Sequence, residues 1–385
     1  MGTDREEMGA AKKNSGVVAV VLAAGMSRRM GTPKQLLRIA GKTVLEHTLG
    51  TLRKSAVDEI VLVLGFASDA VQKEISTEDI KIVCNEDYQQ GMGTSLRAGV
   101  AAVDPDAKAA LIVLGDQPFV LTATLNQLID CHRTTKAHVV IPMYRGFRGN
   151  PVLLDCSIFP ELRELSGDVG CRAIFGSHTE NIHKLEVNDA GILLDIDSRD
   201  DFEKLAKSAA GSGNAMVARE AELPLLESRE GLTAAAPELV VVGRDPVAQA
   251  LVKLGSLMKF RVTIVDPFLR LAEFADATRA LHALDLSLLP PAEERSVVVA
   301  SRGQFDEEAL EQALHANAGY VALLANKKRA QELTASLRVQ GRTPEKLAGI
   351  RAPAGLEIGA ESPEEIALSI MAEIIAERRR RSNPA

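Results

Sequence analysis

Short apolar runs alternate with longer helical patterns along two stretches of the chain. From Gly16 to about Ser208 the runs are VVAVVLA, EIVLVLG, IKIVC, AALIVLG, HVVIP and GILLDI. From Glu238 the alternation resumes with ELVVVG, RVTIVD, SVVVA and GYVALLA. Strands separated by helix-length segments are typical of βαβ units, so the pattern predicts two α/β domains with mostly parallel sheets.

The same pattern gives the limits of the two domains. We expect the first domain to span residues 16–208 and the second to span residues 238–378. Residues 209–237 are rich in small and acidic side chains, which is typical of a linker. The second domain closes with SPEEIALSIMAEIIAE, in which Ser362, Pro363 and Glu365 predict a helix start with a capping box.

Composition narrows the class of protein. The chain has 385 residues, 46% of them hydrophobic and 25% charged, which is ordinary for a globular protein. Its net charge of −7 argues against nucleic-acid binding, because no excess of cations is present to displace phosphate counterions. The four cysteines form no C-x-x-C pair, and we find no secretory signal or membrane-length apolar run. These features predict a cytoplasmic protein.

The first strand is followed by a loop that is rich in glycine and positive charge. In VVLAAGMSRRMGTPKQLL, residues 20–37, these loop residues are Gly25, Gly31, Arg28, Arg29 and Lys34. Ligands of open α/β sheets bind beyond the carboxyl ends of the strands, and glycines with fixed cations suit a polyphosphate. The alternative is a solvated turn.

Carboxylates follow two other apolar runs. Asp116 comes directly after the run in AALIVLGDQP, while Asp195 and Asp197 lie in GILLDIDSRDDF. Magnesium prefers one or two carboxylates together with phosphate oxygens, so these residues are candidate metal ligands. Asp197 or Ser198 could instead be the N-cap of a following helix.

Six motifs occur in the order seen in the molybdenum cofactor cytidylyltransferases, which are MobA-like nucleotidyltransferases. The motifs, which span about residues 16–207, are LAAGMSRRMGTPK, QGMGTSLRAG, LGDQP, RGFRGNPVLL, LSGDVGCRAIF and DIDSRDDF. The resemblance implies that Arg29, Lys34 and Asp116 are catalytic, with Mg²⁺ held by Asp116 and by Asp195 or Asp197. It also implies a nucleotide site formed by Leu22, Ala23, Ala24, Gly25, Arg28, Gly31, Gly91, Thr94 and Ser95. The residues expected to face the acceptor are Asn150, Asp168 and Arg172.

The implied reaction transfers CMP from CTP to the terminal phosphate of molybdenum-bound molybdopterin, with release of pyrophosphate. Guanylyl-transferring relatives carry Ala-Gly-Gly where this chain has Ala23-Ala24-Gly25, so the Ala24 methyl group resembles the cytidine-selecting version. Asn150 stands where histidine is frequent in the family, and Cys171 replaces an alanine. Alternatives are transfer to another phosphorylated acceptor, a non-catalytic cofactor chaperone, or an NAD(P)-dependent oxidoreductase.

The second domain has the spacing of a dinucleotide fingerprint without its glycines. The turn reads Gly243-Arg244-Asp245-Pro246, and Asp266 follows at the distance of a ribose-binding carboxylate. A carboxylate at position 245 would occupy the positive end of the helix and repel a pyrophosphate, which disfavours ordinary NAD binding.

The second domain also resembles the Rossmann part of the XdhC/CoxI accessory proteins. The matching text includes RVTIVDP, GYVALLANKKRA and APAGLEIGAESPEEIALSIMAEI. The resemblance implies a domain that holds the finished cofactor or delivers it to a molybdenum hydroxylase apoenzyme. Aliphatic, helix-terminated domains of this kind often pair, so a homodimer is compatible with the sequence.

Overall fold

The protein was analysed as a computed structural model. It describes residues 15–27, 32–165, 167, 170–196, 199, 202–203, 226–228, 236–269, 271–292, 294–316, 318–339 and 347–382. The chain divides into two compact units, the first formed by Met1–Pro142 and Gly149–Val217, the second by Met143–Arg148 and Ala218–Ala385. The linker predicted at residues 209–237 lies mostly outside the described residues.

The described residues between 15 and 196 form a mixed sheet flanked by helices. Its strands are β1 (Val17–Leu22), β4 (Glu59–Leu64), β5 (Ile80–Cys84), β6 (Ala109–Leu114), β7 (Val139–Tyr144), β8 (Phe147–Arg148), β9 (Val152–Asp155) and β10 (Ile182–Glu186). Strands β2 (Arg38–Ile39) and β3 (Lys42–Thr43) form a small separate hairpin. The helices are α1 (Val44–Lys54), α2 (Ser68–Glu74), α3 (Met92–Ala101), α4 (Thr122–Thr135) and α5 (Phe159–Arg163).

The strand order of this sheet places several strand ends on one edge. The order is β10-β7-β9-β6-β1-β4-β5, with β8 paired to β7. Strand β1 is parallel to β4 and β6, and β4 is parallel to β5, whereas β9 runs antiparallel to β6 and β7. The carboxyl ends of β1, β4, β5 and β6 therefore share an edge, where a ligand site is expected.

Helix α3 lies unusually close to the centre of this sheet. A Cβ atom at Gly99 would be 2.4 Å from Val20 Cγ1 and 2.9 Å from Val63 Cγ2. Real Cβ atoms do not approach other atoms so closely, so the absence of a side chain at Gly99 permits this packing. The valines themselves are fully buried.

The predicted strand in GILLDI is wrong. Residues Ala190–Leu193 form a 3-10 turn, in which the Asp189 carboxylate accepts a hydrogen bond of 2.9 Å from the Gly191 amide. Instead of joining a ladder, the segment makes isolated bonds, from Asn150 N to the Ile192 carbonyl (3.0 Å) and from Ile196 N to the Asp116 carbonyl (3.2 Å). The run is apolar because it is buried, and burial alone does not distinguish a strand from a turn.

The second sheet has the parallel arrangement that the sequence predicts. Its strands are β11 (Leu226–Ser228), β12 (Glu238–Val242), β13 (Arg261–Val265), β14 (Arg279–Leu281), β15 (Arg295–Val299), β16 (Tyr320–Leu323) and β17 (Ile350–Arg351). The order is β11-β14-β13-β12-β15-β16-β17, and only the edge strand β11 runs antiparallel. The fold class is therefore confirmed as two α/β units, the second of them Rossmann-like.

Four helices accompany the second sheet in the described part of the chain, and the first and last of them begin where the sequence predicts. They are α6 (Pro246–Leu257), α7 (Asp306–His315), α8 (Lys327–Val339) and α9 (Pro363–Ser382). The Glu365 amide donates to Ser362 Oγ (3.2 Å) and the Ser362 amide donates to Glu365 Oε2 (2.9 Å), so the predicted capping box at the start of α9 is confirmed. Within the described part of the chain, none of the helices combines the length and apolarity that a bilayer crossing requires.

Candidate active site

A cavity of about 570 Å³ opens at the carboxyl edge of the first sheet. It is lined by residues 22–27, 34–35, 88–92 and 114–116, together with Ser95 and Asp195. The lining thus comes from the segments that follow β1, β5 and β6, from the start of α3, and from the turn after Leu193. Small-molecule sites have volumes of about 300–1,000 Å³, so the cavity is large enough for a nucleotide-sized ligand.

The segment after β1 forms the floor of this cavity and is fixed by hydrogen bonds on both sides. The Ala23 amide donates to the Val63 carbonyl (2.9 Å), and the Phe66 amide donates to the Ala24 carbonyl (3.2 Å). Apart from its chain neighbours, no heavy atom of the described residues lies within 4 Å of the position that a Cβ atom would take at Gly25, so among these residues that face of the backbone is uncovered. Leu22, Ala23, Ala24 and Gly25, all predicted nucleotide contacts, line the cavity.

The loop cation and the strand-end carboxylate predicted from the sequence meet in this cavity. Lys34 Nζ forms an ion pair with Asp116 Oδ2, and the two side chains are 17% and 16% exposed. The Lys34 amide donates to Ser27 Oγ (3.0 Å), which holds the 3-10 turn Lys34–Leu36 against the loop. A mostly covered cation therefore lies beside a mostly covered anion at the exit of the two central strands.

Two carboxylates line the cavity and could hold a divalent cation. They are Asp116, after β6, and Asp195, whose Oδ1 accepts a hydrogen bond from Gln117 Nε2. Among the described residues no group of three or more His, Cys, Asp or Glu side chains could bind a metal. One or two carboxylates supplemented by substrate phosphates and water is the donor set that suits magnesium, so the pair fits that ion. Asp197 lies outside the described residues.

The start of α3 forms another wall. Gly91 has a φ of +116° and caps the helix, a conformation that favours glycine, and Ser95 lines the cavity one turn further on. Thr94 does not line the cavity. It is 2% exposed, and its Oγ1 donates to the Gly91 carbonyl (2.9 Å) and accepts from Asn85 Nδ2 (2.9 Å). Thr94 therefore shapes the turn before the helix.

The predicted acceptor residues lie away from the cavity lining or outside the described chain. The Asn150 amide donates to the Ile192 carbonyl, and Arg172 is half-buried in the 3-10 segment Cys171–Asn181. Neither is among the residues that line the cavity. The remaining predicted residues that fall outside the described part are Arg28, Arg29, Gly31 and Asp168.

Sequence reasoning did not identify several of the lining residues. Gln35 is 2% exposed and donates from Nε2 to the Ala23 carbonyl (2.9 Å), while residues 88–90 form a 3-10 turn that also lines the cavity. The available signal was position, because Gln35 follows Lys34 directly and residues 88–90 precede Gly91. Polar side chains next to predicted contacts at the same sheet edge are candidates for the same site.

The corresponding edge of the second sheet is closed by its own side chains. Gly243 has a φ of +119°, and a Cβ atom there would be 2.3 Å from the Ala300 carbonyl oxygen. Asp245 accepts from the Ala248 amide (2.8 Å) and forms an ion pair with Arg302 (2.9 Å). Asp266 is 1% exposed, and this burial raises the pKa of its carboxyl. The helix N-terminus that would bind a pyrophosphate is thus already capped by a carboxylate.

Comparison with known proteins finds two family models that match separate parts of the chain. The MobA-like NTP transferase domain matches residues 19–182, and the XdhC Rossmann domain matches residues 239–374. The first match includes the strand ends that line the cavity but not Asp195, and the second includes most of the sheet from β12 onward.

Curated and solved relatives match about half of the chain. Nicotine blue oxidoreductase of Paenarthrobacter nicotinovorans is 31% identical over 196 residues, covering 49% of this chain and 96% of that protein. Molybdenum cofactor cytidylyltransferase of Escherichia coli strain K12 is 30% identical over 194 residues, covering 49% of this chain and 94% of that protein. Rv0371C of Mycobacterium tuberculosis H37Rv, solved as a complex with manganese, is 34% identical with a TM-score of 0.45, covering 50% of this chain and 97% of that chain.

Proposed function

Because the chain belongs to the MobA-like NTP transferase family and continues into an XdhC Rossmann domain, we propose that it is a CTP:molybdenum cofactor cytidylyltransferase. The proposal rests on one observation, the ion pair that Lys34 and Asp116 form in a single nucleotide-sized cavity. A cation for phosphates and a carboxylate for a metal are the two groups that nucleotidyl transfer requires at the same place.

The reaction brings two anions together, so the protein has to neutralise and align them. An oxygen of the acceptor's terminal phosphate attacks the α-phosphorus of CTP, and the bond from that phosphorus to the β-phosphate oxygen breaks as pyrophosphate leaves. Bound magnesium supplies neutralisation of the phosphate oxygens, with Asp116 and Asp195 as the residues that would hold it. Lys34 stabilises the charge that grows on the leaving pyrophosphate, and Arg29, outside the described residues, is proposed to do the same.

The floor of the cavity supports a preference for a pyrimidine base. Ala24 is 5% exposed, and its methyl carbon lies 3.0 Å from the position that a Cβ atom would take at Gly65. The methyl group therefore fills space between β1 and β4 that glycine would leave open. Shape differences of this size discriminate by about 1–3 kcal/mol, which favours CTP over GTP without excluding the purine.

We further propose that the XdhC domain holds the finished cofactor or delivers it to a molybdenum hydroxylase. Placing the synthesis and handling of the product on one chain raises the concentration of the product at the second site. The closed edge of the second sheet, where Asp245 caps α6, disfavours a nicotinamide dinucleotide as its ligand.

The test is an assay of pyrophosphate release by the full chain with Mg²⁺, CTP or GTP, and molybdenum-bound molybdopterin. We expect release that depends on both CTP and this acceptor and that is abolished in Asp116→Ala with the fold retained. Release with a sugar phosphate but not with molybdopterin would assign another acceptor. Binding of CTP without turnover would indicate a chaperone. Consumption of NAD(P)H without pyrophosphate release would place the chain with its oxidoreductase relative and refute the proposal.

A further inference from the structure

Asn85 ties the start of helix α3 to the end of strand β5. It is the first residue after β5, is 7% exposed, and its backbone amide donates to the Leu64 carbonyl (2.7 Å). Its side-chain Oδ1 accepts from the Asp87 amide (3.0 Å), and its Nδ2 donates to Thr94 Oγ1 and to Ser95 Oγ (both 2.9 Å). Both the donor and the acceptor of this side chain are therefore engaged.

These contacts allow only one orientation of the Asn85 side chain. The Asp87 backbone amide is a donor, so turning the side-chain amide over would set Nδ2 against another N–H group. The nitrogen therefore faces the hydroxyl groups of Thr94 and Ser95. Since Nδ2 can only donate, each hydroxyl group accepts a hydrogen bond from it through its oxygen.

The two hydroxyl groups differ in where their own hydrogen goes. Thr94 is buried, and its Oγ1 lies 2.9 Å from the Gly91 carbonyl and 3.1 Å from the Asp87 carbonyl, so the turn before α3 accepts its hydrogen. Ser95 lines the cavity, and among the described residues no atom accepts from its hydroxyl group. The hydrogen of the Ser95 hydroxyl group is therefore available to a ligand.

An acceptor on that ligand would complete a chain of hydrogen bonds that starts at Asn85. In this chain Ser95 accepts one hydrogen bond and donates the next, an arrangement in which each bond polarises and strengthens the other. Cytosine offers two neighbouring acceptors, O2 and N3, whereas the corresponding edge of guanine carries the N1–H and N2–H donors. A hydrogen-bond donor in the cavity wall therefore favours cytosine.

We propose that Asn85 is a positioning residue that aligns Ser95 to donate a hydrogen bond to the cytosine base. The proposal rests on the proposed function, because it requires CTP in this cavity. It adds a polar basis for the choice of nucleotide to the steric one at Ala24. Asn85 does not line the cavity, so its effect reaches the base through Ser95.

The test compares the binding of CTP and of inorganic tripolyphosphate to the full chain in Mg²⁺, measured by calorimetry. Tripolyphosphate has the phosphates of CTP without the nucleoside, so the ratio of the CTP dissociation constant to that of tripolyphosphate isolates contacts to the nucleoside. The variant Asn85→Asp keeps the shape of the side chain and the acceptor for the Asp87 amide. It replaces the Nδ2 donor by an oxygen, toward which Ser95 would turn its hydrogen.

We expect Asn85→Asp to raise this ratio by about 10-fold, the usual size of the loss of one hydrogen bond. Repulsion between the new carboxylate and the phosphates acts on both ligands, so it largely cancels in the ratio. A role of Asn85 in folding alone would lower the stability of the chain and leave the ratio as it is in wild type.

Three further variants make the result specific. Ser95→Ala removes the hydroxyl group itself and should raise the ratio as Asn85→Asp does. The double variant should show no further rise, because both changes remove the same hydrogen bond to the base. Asn126→Asp is the matched control, since Asn126 Oδ1 also accepts from a backbone amide, that of Ala56 (2.8 Å), and Asn126 does not line the cavity. It should leave the ratio within about 2-fold of wild type.

An unchanged ratio in Asn85→Asp, or additive effects in the double variant, would overturn the proposal. If Asn85→Asp does not fold, Asn85→Ser replaces it with the same expected result, because a serine hydroxyl group can still accept from the Asp87 amide. An unchanged ratio in Ser95→Ala overturns the proposal in either case. Absence of CTP binding to the wild-type chain would instead overturn the proposed function.

Discussion

The ion pair between Lys34 and Asp116 predicts that neutralising the carboxylate has opposite effects with and without metal. In EDTA, Asp116 competes with the phosphates of CTP for Lys34 and also repels them. The variant Asp116→Asn should therefore bind metal-free CTP more tightly than wild type. With Mg²⁺ present the same variant should bind CTP more weakly, because a candidate metal ligand has been lost.

The size of the expected change in CTP affinity follows from how far the Lys34–Asp116 ion pair is buried. Two unit charges about 4 Å apart interact by about 4 kcal/mol at an effective dielectric constant near 20, and fully exposed pairs retain about 0.2–1 kcal/mol. The two side chains are 17% and 16% exposed, so we expect a net contribution near the upper end of the second range. About 1 kcal/mol corresponds to roughly 5-fold tighter binding in EDTA. In Mg²⁺ we expect a loss of at least about 10-fold, since disturbing a residue behind a metal ligand already costs that much.

The assay is titration of the full chain with CTP by calorimetry, in EDTA and in Mg²⁺, at two ionic strengths. Glu86→Gln is the matched control, because it removes one exposed carboxylate just before the turn at residues 88–90 and does not line the cavity. It should change metal-free binding by less than about 2-fold, and added salt should reduce even this effect. If Asp116→Asn binds metal-free CTP no better than wild type does, the ion pair does not compete with the nucleotide and the reasoning is refuted.

Three other predictions concern the cation, the base pocket and the core. Lys34→Ala should lower the rate of CMP transfer by about 10²-fold or more, the usual effect of losing one charge-stabilising donor. A single-turnover assay with saturating CTP measures this rate. An unchanged rate would show that the loop is a solvated turn. Ala24→Gly should raise kcat/KM for GTP relative to that for CTP by about 5- to 150-fold, which corresponds to about 1–3 kcal/mol. An unchanged ratio would show that Ala24 does not select the base. Gly99→Ala places a methyl group 2.4 Å from Val20 Cγ1 and should lower the free energy of unfolding in urea by about 1–3 kcal/mol; unchanged stability would show that the helix can move away from the sheet without loss.

Much of the fold could be predicted because buried parallel strands have continuous apolar sequences. The strands β1, β4, β6 and β12 all coincide with predicted runs. The exception is residues 191–196. There the Gly191 amide donates to the Asp189 carboxylate, the Ile196 amide donates to the Asp116 carbonyl and the Ile192 carbonyl accepts from the Asn150 amide, in place of a ladder. Asp116 and Asn150 are distant from this segment in the sequence and leave no local signal, so an apolar run could not reveal them.

The residues of the candidate site likewise differ in whether local sequence could predict them. Lys34 and Asp116 were predictable because each follows a strong strand pattern at the carboxyl edge of a parallel sheet. The hydrogen bond from Gln117 to Asp195 was not predictable, since it joins residues that lie far apart in the sequence. Thr94 stays a predicted nucleotide contact, and its hydroxyl group donates to the Asp87 and Gly91 carbonyls in the turn before α3.

The absence of a side chain at Gly99 has consequences beyond the stability of the core. Gly99 lies one turn after Ser95 on α3, and the valines beneath it belong to β1, which ends at the cavity, and to the neighbouring strand β4. The distance between the Ser95 wall and the Ala24 floor therefore depends on packing in the core, at a residue outside the cavity lining. Exchanges of small and large side chains at this buried contact would widen or narrow the mouth of the site, so substrate range in such proteins can diverge while every ligand-facing residue stays the same.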